Sequence, residues 1–253
     1  MGELHHLNVG CADASLIVTT GTFLVDCHRI EEYARLLPAN KQLRGVFVTH
    51  QHNDHYSGLD YLRRAGYGID CLIYSPYVRR RDDGSVTIEE WNEFAALKLH
   101  FEQKGTKCYM PFRQSSWDKP FWETNDVRFW VLGPEAATAQ AETRELHDAC
   151  LVVKAHLGNR KCLFTGDASD ANLIDVAGLN HICDDILHAS HHGSLSGADL
   201  GFIKKCNATY TVISTESGTY ENVPHPTALR RYEDHTSQKV YRTDQDGSLK
   251  WSF

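Results

Sequence analysis

The chain has 253 residues, a formal net charge of −7 and a hydrophobic content of 42%. This length is enough for a sizeable buried core, and the charged fraction of 23% is that of an ordinary soluble globular protein. The negative charge argues against tight, non-specific nucleic-acid binding by the whole surface. No apolar run approaches the roughly 18 residues that cross a membrane, and no secretory signal is visible. We therefore expect a cytoplasmic protein with no membrane contact.

The eight cysteines form no Cys-x-x-Cys pair, and several lie in apolar, strand-like runs. In a chain of this size they indicate buried thiols in a reducing compartment rather than a framework of disulfides. The fifteen histidines are many for this length, and they are the one compositional indication of a metal-binding protein.

The hydrophobic pattern predicts hairpins first and strand–helix alternation afterwards in each half of the chain. In the first half we predict strands at 4–9, 15–18 and 22–26, a helix at 30–37, a strand at 46–49, a helix at 59–64, a strand at 71–74, a charged turn at 79–84 and a long helix at 87–103. In the second half we predict strands at 127–132, 151–155 and 161–165, a helix at 170–177, a strand at 185–189, a helix at 197–205, a strand at 210–214, a helix at 226–232 and a final hairpin of strands 239–242 and 248–253.

This order of elements favours two sheets packed face to face with helices outside. We expect a single domain over residues 1–253, with an elaboration at about 79–126. Residues 107–122 of the elaboration are irregular and rich in aromatic side chains, which could stack nucleobases, form a lid or make a partner surface. Those aromatic residues are Phe112, Trp117, Phe121 and Trp122.

The strongest chemical signal follows the apolar strand at 46–49. His50, His52, Asp54 and His55 fall within six positions, and all four have metal-ligating side chains. On an extended chain the residues i and i+2 point the same way, so His50 and His52 can share one cation. Asp54 and His55 lie where the chain turns and can reach a second cation. Imidazole suits zinc, and mixed imidazole and carboxylate sites also accept manganese or iron.

Asp167 follows a second apolar strand, after a glycine that allows a sharp turn. Placed opposite the histidine loop, this carboxylate could bridge two cations. The alternative is that Asp167 caps the helix that starts near residue 170. The first motif makes the metal role the better interpretation, because metal ligands cluster.

His191 and His192 follow the strand at 185–189 and precede Gly193-Ser194. Successive side chains point to opposite faces, so the two are not expected to bind one metal equally. We favour His191 as a ligand and His192 as a supporting residue or substrate contact, and the order could be reversed.

Two further histidines are weaker candidates. His147 lies just before the strand at 151–155 and could complete the site of His50 and His52, or it could be an ordinary loop residue. His225 lies between two prolines at a predicted helix start, where a rigidly held imidazole suits a phosphate or a leaving group. The alternative for His225 is an exposed turn residue.

These motifs resemble the metallo-β-lactamase-fold hydrolases, and in particular the domain of that fold in bacterial DNA-uptake competence proteins and their free-standing relatives. The matching segments are 8–10 with 13–15, 24–26, 50–58, 150–153, 163–168, 191–194, 225–226 and 240–247. They cover nearly the whole chain, although each segment after the histidine loop is modest alone.

The chain departs from that pattern at three places. Cys11-Ala12-Asp13 stands where Gln-Gly-Asp is usual, Cys27-His28 follows Asp26 where two small residues are common, and His147 with Cys150 replaces an Asn and a Ser. These departures leave the metal ligands in place and put the substrate class in question. The membrane channel of the uptake proteins has no counterpart in this sequence, so we expect no role in DNA transport.

The resemblance implies an α/β fold, namely an αββα sandwich of two packed mixed sheets with helices on the outer faces and a dinuclear site at one edge. It implies two divalent cations, zinc or manganese. One would be held by His50, His52 and His147 and the other by Asp54, His55 and His191, with Asp167 bridging and Asp13 and Asp26 behind the ligands.

In this interpretation a metal-bound hydroxide attacks a phosphodiester, and the catalytic residues are Asp54, His192 and His225, with either histidine steadying the leaving oxygen. We expect a phosphodiesterase or nuclease whose partner is nucleic acid or another phosphodiester substrate. Two alternatives stay open. One is a hydrolase of another ester, lactone, thioester or amide, and the other is a module that binds a protein partner from the same bacterial operon.

Overall fold

The computed structural model describes residues 2–116 and 118–253, so Trp117 of the aromatic segment lies outside the described residues. The strands are β1 (Glu3–His6), β2 (Ala14–Val18), β3 (Thr22–Cys27), β4 (Gln42–Val48), β5 (Gly68–Tyr74), β6 (Lys107–Tyr109), β7 (Trp122–Glu123), β8 (Val127–Gly133), β9 (Val152–Leu157), β10 (Arg160–Phe164), β11 (Ile186–His188), β12 (Tyr210–Ile213), β13 (Lys239–Arg242) and β14 (Leu249–Ser252). The α-helices are α1 (Asn53–Tyr56), α2 (Gly58–Arg64), α3 (Ile88–Gln103), α4 (Ala136–Gln140), α5 (Asp170–Ala177), α6 (Leu200–Cys206), α7 (Pro226–His235) and α8 (Thr243–Asp246). Short 3-10 helices lie at Ile30–Leu36, Leu146–Ala149, Ser190–Gly193 and Leu195–Gly197.

The strands form two mixed sheets, each with seven strands in the described part of the chain. The first has the order β14-β1-β2-β3-β4-β5-β6 and the second the order β13-β12-β11-β10-β9-β8-β7. In each sheet the early strands pair antiparallel and the later ones pair parallel. The predicted order of hairpins and then strand–helix alternation is therefore confirmed.

The sheets pack face to face on a shared apolar core. Phe47 of the first sheet and Phe129 of the second are fully buried, with ring centroids 4.8 Å apart. Helices α2 and α3 cover the outer face of the first sheet, and α5, α6 and α7 cover that of the second. Strand β3 is buried at all six positions because a sheet lies on one side of it and helical segments on the other. The α/β fold with two packed mixed sheets is confirmed as an αββα sandwich.

The predicted final hairpin is wrong. β13 pairs with β12 in the second sheet, and β14 pairs with β1 in the first. The turn signal Asp246-Gly247 ends the short helix α8 instead, with Gly247 at φ +72° after the last helical residue. The Asp246 carboxylate accepts hydrogen bonds from the Arg242 amide and the Lys239 ammonium, and these bonds hold that helical turn against β13. Local turn chemistry thus predicts a reversal but not which sheet receives the next strand.

Two helix predictions also need correction. The segment predicted as a helix at 30–37 is a 3-10 helix over Ile30–Leu36, and the one predicted at 197–205 starts only at Leu200. Asp199 accepts a hydrogen bond from the amide of Phe202 at 2.7 Å, so it is the N-cap that sets this start.

The elaboration at about 79–126 adds α3 and one strand to the edge of each sheet, β6 to the first and β7 to the second. A capping box starts α3: the Thr87 hydroxyl accepts from the Glu90 amide, and the Glu90 carboxylate accepts from the Thr87 amide. Among the described residues, no helix is both long enough and apolar enough to cross a bilayer.

Candidate metal centre

Four loops meet at one edge of the sandwich and carry the polar residues of the site. His50 follows β4, His147 lies in the 3-10 helix just before β9, Asp167 follows β10, and His191-His192 follow β11. β4 lies among the parallel strands of the first sheet, and β11 lies among those of the second. The carboxyl ends of parallel strands share an edge, so their loops converge there.

The first cluster contains His50, His52, His147 and Asp167, whose potential ligand atoms all lie within 4.8 Å of one another. Nε2 of His50 faces Nδ1 of His52 at 3.0 Å, and Nε2 of His147 lies 3.4 Å from the same Nδ1. Oδ2 of Asp167 lies 3.8 Å from Nε2 of His50 and 3.9 Å from Nε2 of His147.

Outer hydrogen bonds determine which nitrogens carry protons in this cluster. The Thr49 hydroxyl donates to Asp26 and can only accept from Nδ1 of His50 at 3.3 Å. Nε2 of His52 donates to the carbonyl oxygen of Ser85 at 2.6 Å. When both rings are neutral, Nε2 of His50 and Nδ1 of His52 therefore carry lone pairs, and these lone pairs face each other. Two facing lone pairs repel each other when nothing lies between them, and both can coordinate a cation placed there.

The second cluster contains Asp54, His55 and His192, again within 4.8 Å of one another. The other carboxylate oxygen of Asp167, Oδ1, lies 3.3 Å from Nε2 of His55 and 3.6 Å from Nε2 of His192. Oδ2 of Asp54 lies 3.5 Å from Nε2 of His192. The two oxygens of Asp167 thus face two different clusters.

Outer hydrogen bonds orient these histidines too. Nδ1 of His55 donates to Asp26 at 2.9 Å, and Nδ1 of His192 donates to the carbonyl oxygen of Ser214 at 3.0 Å. Three inner atoms, Nε2 of His55, Nε2 of His192 and Oδ1 of Asp167, are buried and have no hydrogen-bond partner. Buried polar atoms without partners are costly. The residues present therefore fit divalent cations, because both clusters direct ring nitrogens and carboxylate oxygens inward, and these are donor types that zinc and manganese accept.

The electrostatics of the two clusters differ. Burial disfavours the charged form of His192, but the carboxylates of Asp167 and Asp54 outweigh it and raise its pKa to about 9. Burial likewise opposes a charge on His55, yet Asp167 and Asp26 hold the pKa of His55 well above its usual value. In the first cluster, burial lowers the pKa of His147 to about 3. The second cluster therefore attracts positive charge, whereas burial disfavours a charge on His50 and His147 of the first cluster by lowering the pKa of each.

The backbone around the site is constrained. His191, His192 and Gly193 all have left-handed φ values, of 52°, 54° and 81°. Left-handed backbone is unfavourable for a histidine and is typically retained where function needs the side-chain direction. Gly166 has φ +47°, and a Cβ there would lie 2.4 Å from Oγ1 of Thr49. A side chain at Gly166 would therefore push the Asp167 loop away from the histidine loop.

His191 and His192 have different surroundings. His192 is buried and joins the second cluster, whereas the side chain of His191 is 27% exposed. Nε2 of His191 lies 3.7 Å from Asp167, its ring lies 4.6 Å from that of His147, and its Nδ1 contacts Ser196. The geometry favours the alternative assignment of the two histidines, in which His192 is the ligand candidate and His191 lies at the rim of the site.

His225 is not part of either cluster. Its Nδ1 accepts a hydrogen bond from the amide of Thr227, so the ring is the N-cap of α7, and its own amide donates to the carbonyl of Gly193. His225 is therefore a half-buried helix cap rather than an exposed turn residue, and its backbone is attached to Gly193, the residue after His192.

A cavity of about 420 Å³ opens over the clusters. His52, His147, His191 and His192 lie in its lining, and Ser85, Thr87, Glu90, Tyr220 and Val223 make the other walls. The described lining includes no Lys or Arg. Sequence reasoning missed Ser85, Glu90 and Tyr220, because no local pattern indicates that the charged turn and the loop after β12 fold over the metal-binding loops.

Comparisons with known proteins agree with the fold. Residues 10–90 match the sequence model of the metallo-beta-lactamase superfamily. None of the curated protein sequences compared with the chain is significantly similar to it.

Three solved structures with similar folds span the whole sandwich. The metallo-beta-lactamase fold protein YhfI from Bacillus subtilis has a TM-score of 0.60 at 14% identity, over 99% of this chain and 100% of that one. The diiron β-hydroxylase CmlA from Streptomyces venezuelae has a TM-score of 0.59 at 12% identity, over 100% of this chain and 54% of that one. Zn²⁺-bound PqqB from Methylobacterium extorquens has a TM-score of 0.54 at 9% identity, over 100% of both chains. At such identities a likeness carries the architecture alone, and together with the topology of the two sheets it establishes that the chain has the metallo-β-lactamase fold.

Proposed function

We propose that this protein is a metal-dependent hydrolase with a two-cation centre and that its substrates are phosphodiesters. The observation that carries the proposal is the position of Asp167. Its Oδ2 faces the first cluster at 3.8 Å from His50, and its Oδ1 faces the second at 3.3 Å from His55. A carboxylate shared by two histidine clusters is the ligand that a pair of cations requires to offset their mutual repulsion.

His50, His52 and His147 would hold one cation, Asp54, His55 and His192 would hold the other, and Asp167 would be a ligand available to both. When bound, the cations supply Lewis-acid chemistry, which polarises the bond to be cleaved and activates water near neutral pH. We propose zinc or manganese from the donor set. Zn²⁺ is bound by the similarly folded PqqB, and CmlA is a diiron enzyme, so iron belongs in any metal analysis.

The chain's own side chains then position the substrate. His191 stands at the rim of the cavity, where its ring can contact a substrate oxygen without leaving Asp167 and His147. The hydroxyl of Tyr220, which also lines the cavity, can donate to the substrate.

A second candidate function is the hydrolysis of a lactone, thioester or amide. The described cavity lining contains Glu90 but no Lys or Arg, and a polyanionic substrate gains little from such walls. The resemblance to the DNA-uptake group favours phosphodiesters, and the lining favours a substrate with few charges. A short or small phosphodiester satisfies both.

Metal analysis and a substrate panel test the proposal together. We expect about two divalent cations per chain and cleavage of bis-p-nitrophenyl phosphate, or of short DNA, RNA or a cyclic dinucleotide, by zinc- or manganese-loaded protein. The Asp167→Ala variant is the control for contaminating nucleases. Protein that binds two cations and cleaves a lactone or thioester but no phosphodiester would establish the second candidate.

A further inference from the structure

The charged turn of the elaboration folds over the metal-binding loops. Residues 77–87, named the clasp from here on, run from the end of β5 towards α3 and make one wall of the cavity through Gly84, Ser85, Val86 and Thr87. The sequence presents the clasp only as a charged turn, and neither the metal ligands nor the proposed chemistry assigns it a role.

The clasp has a defined internal structure. The guanidinium of Arg79 donates to the carbonyl oxygens of Val86 at 3.1 Å, Arg80 at 3.2 Å and Asp83 at 3.0 Å. The hydroxyl of Tyr77, whose side chain is buried, donates to Asp83. These bonds hold the backbone of the clasp in one shape.

Ser85 contacts two separate metal-binding loops. Its carbonyl oxygen accepts the hydrogen bond from Nε2 of His52 at 2.6 Å. Its hydroxyl accepts from the amide of Leu146, the residue before His147, at 3.1 Å. The same hydroxyl donates to Asp83 at 2.6 Å, which turns its lone pairs towards Leu146.

We infer that Ser85 is a positioning residue of the first metal site. Its carbonyl oxygen holds the loop of His52 and its hydroxyl holds the loop of His147, and together these bonds set the separation and orientation of the two histidines. The inference rests on the metal centre of the proposed function. The two histidines are 95 residues apart in the chain and come from different sheets, and their facing nitrogens lie 3.4 Å apart. A ligand's outer hydrogen bond fixes its tautomer and direction, and its loss typically weakens metal binding about 10- to 100-fold.

A second link strengthens the same attachment. The carboxylate of Glu90 accepts from the amide of Asn53 at 3.3 Å, and its backbone carbonyl accepts from the hydroxyl of Tyr56 at 2.9 Å. The start of α3 therefore holds the residues that follow His52. Ser85 contacts only the segments of His52 and His147, whereas His55 and His192 of the second cluster have hydrogen bonds to Asp26 and Ser214, so a change confined to Ser85 should affect the two sites unequally.

The test compares Ser85→Ala with wild-type protein in Zn²⁺ titrations against a chromophoric chelator. Wild type should bind two Zn²⁺ per chain. Ser85→Ala should weaken the first site about 2- to 10-fold, the effect of one lost hydrogen bond, and leave the second unchanged, because the hydroxyl's bond to the Leu146 amide is lost and the carbonyl's bond to His52 is kept. Ser85→Thr retains the hydroxyl and should restore most of the affinity. Ser116→Ala removes an exposed hydroxyl elsewhere in the elaboration and is the matched control.

A double-mutant cycle identifies the weakened site. In a His147→Ala background the first site is already disrupted, so Ser85→Ala should add little. In an Asp54→Asn background, which disrupts the second site, the full Ser85→Ala effect should persist. If the metal-free Ser85→Ala protein does not fold, Asp83→Asn tests the same link, because it weakens the acceptor of the Ser85 hydroxyl and should weaken the same site.

The outcomes separate the two proposals. Wild-type protein that binds no divalent cation would refute the metal centre itself, whatever the Ser85 variants do. Wild-type protein with two cations, together with folded Ser85→Ala or Asp83→Asn protein of unchanged affinity at both sites, would refute the positioning role alone.

Discussion

Asp26 accepts a hydrogen bond from Nδ1 of His55 at 2.9 Å, and both side chains are buried. The same carboxylate accepts from the amide of Thr49 at 2.8 Å and from its hydroxyl at 2.7 Å. Because the Thr49 hydroxyl in turn accepts from Nδ1 of His50, Asp26 stands behind ligand candidates of both clusters. The end of β3 therefore orients side chains that are delivered by the loop after β4.

Replacement of Asp26 tests this support. Asp26→Ala should weaken the second cation about 10- to 100-fold, because His55 loses the acceptor that fixes its tautomer and ring direction. The first cation should be affected less, since His50 keeps its contact with the Thr49 hydroxyl. Zn²⁺ titration measures both affinities. Asp60→Ala, on the surface of α2, is the control, and equal affinities in the Asp26 and Asp60 variants would contradict the prediction.

Asp167 is the residue on which the two-cation centre depends. Asp167→Ala should abolish turnover and the binding of at least one cation, because the remaining ligands cannot offset two neighbouring positive charges. Circular dichroism should show a folded protein. Metal content after dialysis is the direct measurement, with the surface variant Asp70→Asn as the control. An Asp167 variant with both cations and full activity would make this carboxylate a structural residue.

The ligand loops were predictable because each directly follows an apolar strand or precedes one. The pattern that places His50 and Asp167 after buried strands also places them at the edge where those strands end. His147 was a weaker prediction because a lone polar residue before a strand has no distinctive pattern. The 3-10 helix Leu146–Ala149 brings it into the first cluster, and the local sequence contains no pattern that predicts this helix.

What the sequence could not provide is contact between distant segments. Ser85 and Tyr220 reach the cavity only because the clasp and the loop after β12 fold towards the same sheet edge. The last two strands show the same limit: β13 and β14 were recognised as strands, but their sheets depend on the partners β12 and β1. Local patterns give the element type, whereas tertiary packing decides its neighbours.

Metal binding should release protons from the second site. Asp167 and Asp54 outweigh burial and raise the pKa of His192 to about 9, so its inner nitrogen carries a proton at neutral pH that a cation must displace. Second-site affinity should therefore rise about tenfold per pH unit for each proton displaced and level off above that pKa. Mn²⁺ titrations in buffers of different ionisation enthalpy measure the proton count. A second-site affinity independent of pH between neutrality and about pH 9 would contradict it.

His225 should contribute to stability as a helix cap. Its Nδ1 accepts from the amide of Thr227, so His225→Ala should lower the free energy of unfolding by about 0.5–2 kcal/mol, the usual effect of losing an N-cap. His225→Asn can accept the same hydrogen bond and should restore most of it. Urea denaturation of the metal-free proteins measures the difference. If His225→Asn is as stable as wild type but has lost turnover, the imidazole contacts the substrate as well.

The two adjacent histidines should have separable roles. His192 is buried, lies 3.5 Å from Asp54 and has an inner nitrogen without a partner, so His192→Ala should lose the second cation and all turnover. His191 is at the rim and belongs to neither cluster, so His191→Ala should keep both cations and lower kcat or raise KM by weakening the contact with substrate. Metal analysis and steady-state kinetics on the two variants distinguish them. If His191→Ala loses a cation and His192→Ala retains both cations, the assignment is reversed, and His191 is the metal ligand.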